Sequence, residues 1–320
     1  MTPIYSIVIP VFNSELTLME LYHRTVFVMD SLDAPFEIIF VEDGGTDGSW
    51  SILQKITKQD KRITAIQLLR NVGQGSATLA GLAEAKGSFI ITLDDDLQHP
   101  PEELPILIGA LQNNDTLDVV MGVPKVKHHP FFRRLTSTLI NQVNNLFIKK
   151  DPAIRTTSFR IMRRQVLTAL LNMNTPYPSL GPMLLSVTRR MSCVIVEHHP
   201  REEGQSGYTF FKLLRQSFSN IVGYSVLPLH LLATIGIIGI VFCLFFTVYF
   251  LSRYFLGGVH VPGWMTLLLI MITLSSFNFL AFSLLGEYVL RIMLVSTSRA
   301  QWSVRQVSRQ IDVSQETSIL

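Results

Sequence analysis

The sequence predicts an α/β domain, a mostly parallel sheet with helices on both faces, followed by an amphipathic interface helix and two transmembrane helices. Three observations carry that assignment. Strand and helix patterns alternate regularly over residues 1–120, polar residues collect where each strand pattern stops, and two long stretches near the far end lack Lys, Arg, Asp and Glu.

Taken in order, strands are expected at Ser6–Val11, Phe36–Val41, Ile63–Leu69, Ser88–Leu93 and Leu117–Met121, with helical patterns between them. Asn13 and Glu15 follow the first strand, Glu42 and Asp43 the second, and Arg70 and Asn71 the third. Asp94, Asp95 and Asp96 follow the fourth. In a parallel sheet the strand carboxyl ends share one edge, so these four groups should meet in one crevice.

The fourth group is the most informative. Residues 88–103, SFIITLDDDLQHPPEE, form an apolar run that stops in three carboxylates and a glutamine. On an extended chain alternate side chains point the same way, which lets Asp94 and Asp96 converge while Asp95 faces elsewhere. Two carboxylates beside the Gln98 amide oxygen form a hard oxygen set suited to Mg²⁺ or Mn²⁺, with phosphates completing the shell. The competing reading is an acidic turn before the helix that starts near Glu102.

Gly73 and Gly75 in NVGQGSATLAG resemble part of a dinucleotide fingerprint. That fingerprint belongs in the first strand–helix turn, where this chain has PVFNSE without glycine. The two glycines are therefore read as a tight turn that lets backbone approach a ligand. Residues 122–190 are mixed, with Lys125, Lys127, Arg133, Arg134, Arg155, Arg160, Arg163 and Arg164 as basic points on a largely solvated face.

Residues 192–199 suggest a further strand, followed by the polar loop PREEGQSGY. Residues 209–225 have the amphipathic pattern of a helix lying at a membrane surface. Residues 229–251 and 263–285 are each long enough to cross a ~30 Å hydrocarbon core and show no polar stripe. Their connection, SRYFLGGVHVP, has one arginine, whereas Arg291, Arg299, Arg305 and Arg309 follow the second stretch. The positive-inside bias then puts both termini in the cytoplasm around a short external hairpin. The expected divisions are 1–208, 209–225, 226–292 and a tail at 293–320.

Net charge is +3, and no dense basic patch is interleaved with aromatics, which argues against nucleic-acid binding. Cys193 and Cys243 lie in segments of different character and read as packing residues. His128–His129 and His198–His199 lack the i, i+4 spacing of helical zinc ligands. MTPIYSIVIPVFN has neither a basic start nor a small-residue cleavage site, so the N-terminal part is expected to stay cytosolic.

With these residues in hand, the chain resembles family 2 glycosyltransferases of the polyprenyl-phosphate type. The resemblance runs through SIVIPVFNSE, FVEDGGTDGS, LRNVGQGSATLAGL, TLDDDLQHPPEE, TSFRIMRR, the loop from Arg201 to Tyr208, the paired apolar stretches and GEYVLRI. It implies a Rossmann-like GT-A fold, a nucleotide-sugar donor and a polyprenyl phosphate acceptor at the cytoplasmic face of a bacterial inner membrane. It leaves homo-oligomerisation open.

Pro10, Phe12, Asn13, Glu15, Glu42, Asp43, Asp94 and Asp95 would hold the nucleotide-sugar. Asp96 and Gln98 would hold Mg²⁺ or Mn²⁺, with Asp94, Asp96 and Arg201 central to catalysis. Arg133 (or Arg134), Arg155, Ser158, Arg201 and Ser206 would bind the acceptor phosphate. Bacterial members of the group favour a UDP-sugar, with GDP-mannose second. The chain departs from the common pattern in three places. Phe159 directly follows Ser158, where a glycine often intervenes; Gly207 stands where a lysine often follows the loop serine; and Val123-Pro124-Lys125 replaces a frequent Ser-Arg. A processive polysaccharide synthase and a non-catalytic membrane scaffold are the rival readings. Gln301-Trp302 does not reproduce the Q-x-x-R-W segment of such synthases.

Overall fold

The computed structural model describes residues 2–125, 154–199, 263–296 and 301–310, with scattered positions between 232 and 256. By backbone contacts the chain divides into two compact units: Met1–Arg215 with Ala300–Leu320, and Gln216–Arg299.

The first unit is built on an eight-stranded sheet of order β7-β5-β6-β4-β1-β2-β3-β8. Its strands are β1 (Tyr5–Val11), β2 (Phe36–Glu42), β3 (Ile63–Leu68), β4 (Phe89–Thr92), β5 (Val119–Pro124), β6 (Arg160–Arg163), β7 (Met191–Val196) and β8 (Val304–Ser308). β1 pairs in parallel with β2 and β4, β2 with β3, and β5 with β7. β6 runs antiparallel between β4 and β5, and β8 antiparallel along β3, so the sheet is mixed at two places.

The helices of this unit are α1 (Leu18–Ser31), α2 (Ser49–Gln59), α3 (Gln74–Glu84), α4 (Leu104–Gln112), α5 (Arg164–Leu171) and α6 (Leu180–Val187). All seven residues of β1 are buried, as a central parallel strand covered on both faces requires. Ile7, Ile9, Ile38 and Phe40 join Leu18 and Leu21 of α1 and Leu53 of α2 in one apolar cluster. On the opposite face α3 lies so close that a Cβ on Gly81 would fall 2.5 Å from Val8 Cγ1 and 2.8 Å from Val41 Cγ2. Each large side chain buried this way contributes roughly 1.5–3 kcal/mol.

The fifth and sixth expected strands exist but are displaced: Leu117–Met121 is found at Val119–Pro124, and 192–199 at Met191–Val196. β4 stops at Thr92 rather than Leu93, and Asp95 and Asp96 lie in a turn. The alternation argument for the aspartates is therefore replaced by turn geometry, with Leu97 at φ 56°. No sequence pattern predicts β6 or β8. β8 turns part of the expected tail into the edge strand beside β3.

In the second unit, α7 (Trp264–Ser296) is one 33-residue helix that continues past the expected end at 285. It contains one stretch, Phe277–Ser296, long and apolar enough to cross a membrane, with mean hydropathy 1.7. Glu287 and Arg291 pair along it at 2.9 Å, one turn apart. Within the first expected span the described positions from 232 to 252 are helical; the rest of it lies outside the described residues, as does the expected surface helix at 209–225.

Candidate active site

The crevice forms at the carboxyl ends of β1, β2, β3 and β4, where four loops interlock through carboxylates. The loop after β2 turns at Gly44, whose φ is +66°; a Cβ there would lie 2.5 Å from the Asn71 backbone nitrogen. Only glycine accepts both the dihedral and that approach. Asn13 Oδ1 accepts the Thr46 amide at 2.9 Å, and Glu15 Oε2 accepts the Gly48 amide at 2.8 Å. Asn13 and Glu15 thus anchor the loop after β2 to the loop after β1.

Glu42 ends β2 and is 1% exposed. One carboxylate oxygen accepts the Gly45 amide, and the other is buried without a partner. Asp43 accepts the Val72 and Gly73 amides at 2.7 and 2.9 Å. Burial raises its carboxyl above the ordinary range, against the pull of those two amides. Gly73, with φ 88°, caps the start of α3. A Cβ on Gly75 would lie 2.1 Å from the Pro178 carbonyl oxygen. Gly73 thus serves the left-handed backbone conformation, with open space where a Cβ would stand, and Gly75 a close contact within the chain.

The three aspartates have three different environments. Asp94 accepts the Gln74 amide at 2.7 Å on Oδ1 and the Ser158 hydroxyl on Oδ2. Burial pushes its carboxyl up to about 6, partly offset by Ser158, while Asp96 and Asp95 add to the rise. Asp95 accepts the Phe12 amide at 2.9 Å and the Ser14 hydroxyl, and its carbonyl accepts Thr17 Oγ1 at 2.7 Å. Its carboxylate ties down the loop after β1, a different task from the ligand contact expected for it. Among the described residues, Asp96 takes only the 3.2 Å contact from the Gln98 amide, which leaves its carboxylate the most available of the three.

The Asp94, Asp96 and Gln98 side chains supply the hard oxygen donors that a divalent cation prefers. Mutual repulsion of three carboxylates in one turn is a further reason for a cation to bind there. No group of three or more His, Cys, Asp or Glu side chains with metal-binding geometry occurs among the described residues, so any such site depends on the Gln98 amide and on ligand oxygens.

Of the other expected residues, Pro10 is buried in β1, opposite Val41 in the register, and Phe12 stands 49% exposed at the crevice mouth. Ser158 is turned to Asp94, and Arg155 is exposed, with its amide 3.3 Å from Cys193 Sγ. Arg133, Arg134, Arg201 and Ser206 lie outside the described residues.

Sequence reasoning does not single out Ser14, Gln74 or His99, and it places Arg160 among the basic points of a largely solvated face, whereas Arg160 is buried in the sheet. Gln74 follows Gly73 directly at the start of the crossover from β3 to β4, so its position among the strand-end groups is a usable signal. His99 stacks on Phe159 at 5.1 Å and lies 4.9 Å from His198, ring centre to ring centre. Burial pushes its imidazole down to about 4, with His198 acting in the same direction. The backbone joins the same two segments, since the His199 amide donates to the Gln98 carbonyl at 2.9 Å.

Residues 6–171 match the model of glycosyl transferase family 2. The chain is 33% identical over 316 residues to an undecaprenyl-phosphate 4-deoxy-4-formamido-L-arabinose transferase of Edwardsiella ictaluri, covering 97% of each chain. It is 32% identical over 305 residues to the protein of that name from Proteus mirabilis, covering 94% of this chain and 93% of the other. Among solved structures, it superposes on glucosyl-3-phosphoglycerate synthase of Mycobacterium tuberculosis in complex with Mn²⁺ and UDP-glucose, with TM-score 0.51 and 17% identity. That match covers 69% of this chain and 77% of the other. A likeness at that identity speaks for the fold alone: a GT-A sheet with its helices. Fold, ordered motifs and near-full-length similarity agree, and the chain belongs to glycosyl transferase family 2.

Proposed function

We propose that this protein transfers one sugar from a nucleotide-sugar, most simply a UDP-sugar, to the phosphate of undecaprenyl phosphate at the cytoplasmic face of a bacterial inner membrane. The observation that carries the reading is the convergence of Glu42, Asp43, Asp94 and Asp96 at one sheet edge. It is supported by near-full-length similarity to transferases named for an undecaprenyl-phosphate acceptor.

Glu42, with one buried and unpartnered oxygen, and Asp43, braced by two amides, face the nucleoside. Phe12 and the loop it begins form the wall beside them. Asp94 is directed by Ser158 and Gln74 toward the diphosphate, and Asp96 with Gln98 would hold Mg²⁺ or Mn²⁺. Bound there, the cation would neutralise charge on the departing nucleoside diphosphate.

The acceptor is already a nucleophile. A phosphate monoester carries about −1.5 to −2 charge near neutral pH, so no general base is needed. The chain's own task is to orient two polyanions and to offset their repulsion. Arg201 and Ser206, with Arg133 and Arg155, would serve the acceptor phosphate, since a guanidinium matches phosphate geometry. Attack by that oxygen on the anomeric carbon breaks the bond to the diphosphate in one displacement, which inverts the sugar centre.

Connectivity supports the proposed membrane arrangement. β8 pairs with β3 after the chain has passed through α7, so residues before 215 and after 300 share one folded unit and one side of the bilayer. The segment between them must cross an even number of times. If α7 crosses once, the segment that holds the described helical positions between 232 and 252 would supply the return, which gives a hairpin with both termini cytoplasmic.

The test is incubation of the full-length protein in membranes with undecaprenyl phosphate and a panel of labelled nucleotide-sugars, scored for label in the lipid fraction. Because of the named relatives, UDP-linked 4-deoxy-4-formamido-L-arabinose is the first donor to try. Label in lipid with one or a few donors supports the reading. No labelled lipid with any UDP- or GDP-sugar would overturn it.

A further inference from the structure

Arg160 is a cation in the interior of the sheet, 6% exposed, at a position where an apolar residue would fill space at lower cost. It opens β6, opposite Thr92 of β4 on one side and Met121 of β5 on the other. Its Nε donates to Thr92 Oγ1 at 3.1 Å and to the Ser158 carbonyl at 3.3 Å, and its Nη1 is buried without a partner. Thr92 Oγ1 in turn donates to the same Ser158 carbonyl. The Ser158 hydroxyl donates to Asp94 Oδ2.

Asp94 is linked to this guanidinium through Ser158, with no direct ion pair between them, and acts on it at longer range, while burial lowers the affinity of the guanidinium for its proton to about 10. A buried charge persists where another charge offsets it, and removing one partner leaves the other uncompensated. The antiparallel strand and the residues entering it thus deliver two things to the acidic turn: the Ser158 hydroxyl that fixes one carboxylate oxygen, and the Arg160 charge behind Ser158.

We infer that Arg160 is a positioning residue of the donor site, which orients the Asp94 carboxylate toward the nucleotide diphosphate by pinning the Ser158 backbone and supplying the buried counter-charge. It touches neither donor nor acceptor itself. This rests on the donor-site reading above and adds a residue that the reaction scheme does not use.

The test combines binding and melting on the full-length protein, with UDP plus Mn²⁺ as the probe in isothermal titration. Arg160→Met should weaken UDP·Mn²⁺ binding by at least ~10-fold, the scale of a lost charge-assisted contact. Arg160→Lys keeps the charge and should stay within ~3-fold of the parent, although a lysine lacks the planar fork. In an Asp94→Asn background, Arg160→Met should cost little more binding, and the melting-temperature losses of the two changes should be strongly non-additive.

Parent-like binding by Arg160→Met would overturn the inference. So would equal impairment by Lys and Met, or additive melting losses. If Arg160→Met alone does not fold, the lysine variant and the double variant still decide the question. A parent protein that fails to bind UDP·Mn²⁺ while the melting losses remain coupled would sink the donor-site reading and leave the Arg160–Asp94 pair standing.

Discussion

The sheet contains two kinds of strand. β1, β2 and β4 are parallel, apolar and covered on both faces, and each ends in the polar residues that line the crevice. β6 and β8 are short, antiparallel and rich in polar residues. The parallel strands place the carboxylates, whereas the antiparallel ones secure them. The segment entering β6 brings Ser158 to Asp94, and Arg160 of β6 holds the Ser158 carbonyl. β8 and the residue before it hold Leu69 from both sides: the Leu69 amide donates to the Ser303 carbonyl at 2.8 Å, and Arg305 donates to the Leu69 carbonyl at 3.4 Å. Leu69 leads into the loop whose amides hold Asp43. The difference teaches that donor chemistry is set by where parallel strands stop, and its rigidity by strands from distant sequence.

The largest expected effect lies at the end of the parallel core. Asp96→Asn conserves side-chain size and should lower sugar transfer by ~100-fold or more, as loss of a charge-stabilising group does. Its melting temperature should match the parent, because Asp96 makes little structural contact among the described residues. Exhaustive chelation should have the same consequence, and full-rate transfer under both conditions would remove the metal from the scheme.

Arg201→Ala separates donor from acceptor functions. It should reduce transfer to undecaprenyl phosphate at least ~10-fold, with donor affinity nearly unchanged, the signature of a lost charge-assisted phosphate contact. If donor binding is lost instead, Arg201 belongs to the diphosphate. Unchanged transfer would return it to pairing with Glu202 or Glu203, an exposed contact of only ~0–1 kcal/mol.

Removal of residues 301–320 tests the antiparallel edge. Four register pairs join β8 to β3, and at ~0.5–1.5 kcal/mol for each of about four backbone hydrogen bonds the loss should destabilise the domain by ~2–6 kcal/mol. Denaturant unfolding measures this, and the exposed β3 edge should also raise the tendency to aggregate. A truncated chain as stable as the parent would show that β8 secures nothing. The connectivity argument itself is checked by reporters fused after Leu320 and inserted near Gly258, which should fall on opposite sides of the membrane.

The smallest effect is expected at an exposed contact on the same edge. Gln306→Ala removes a 3.1 Å side-chain bond to Gln67 and should change stability by less than ~0.5 kcal/mol. A larger loss would mean that side chains, rather than backbone pairing, hold β8 in place.

The same contrast explains what could be read from the chain. β1, β2 and β4 announce themselves because a strand buried on both faces needs a continuous apolar run, and the loss of that run marks the site edge. β6 reads RIMR, four residues with arginine at both ends, and its central position arises only because β4 and β5 accept it between them. β8 reads VRQVS, and four of its five residues are exposed at the sheet edge, so no apolar pattern distinguishes it from tail. In the site the carboxylates were legible as strand-end charges. Their division of labour was not, because a turn rather than an extended chain orients Asp95 and Asp96 after Asp94. Gln74, Ser14 and Ser158 take their roles from contacts across 20, 81 and 64 positions of sequence, which no local pattern encodes.

The most direct measurement is mass spectrometry of the lipid fraction, with parallel assay of nucleotide release, after the full-length protein acts on undecaprenyl phosphate and its accepted nucleotide-sugar. The account predicts a single new lipid, heavier than undecaprenyl phosphate by one sugar residue, formed in equal amount with the released nucleoside diphosphate and with the sugar centre inverted. A ladder of longer glycans, or nucleotide release without a glycosylated lipid, would contradict it.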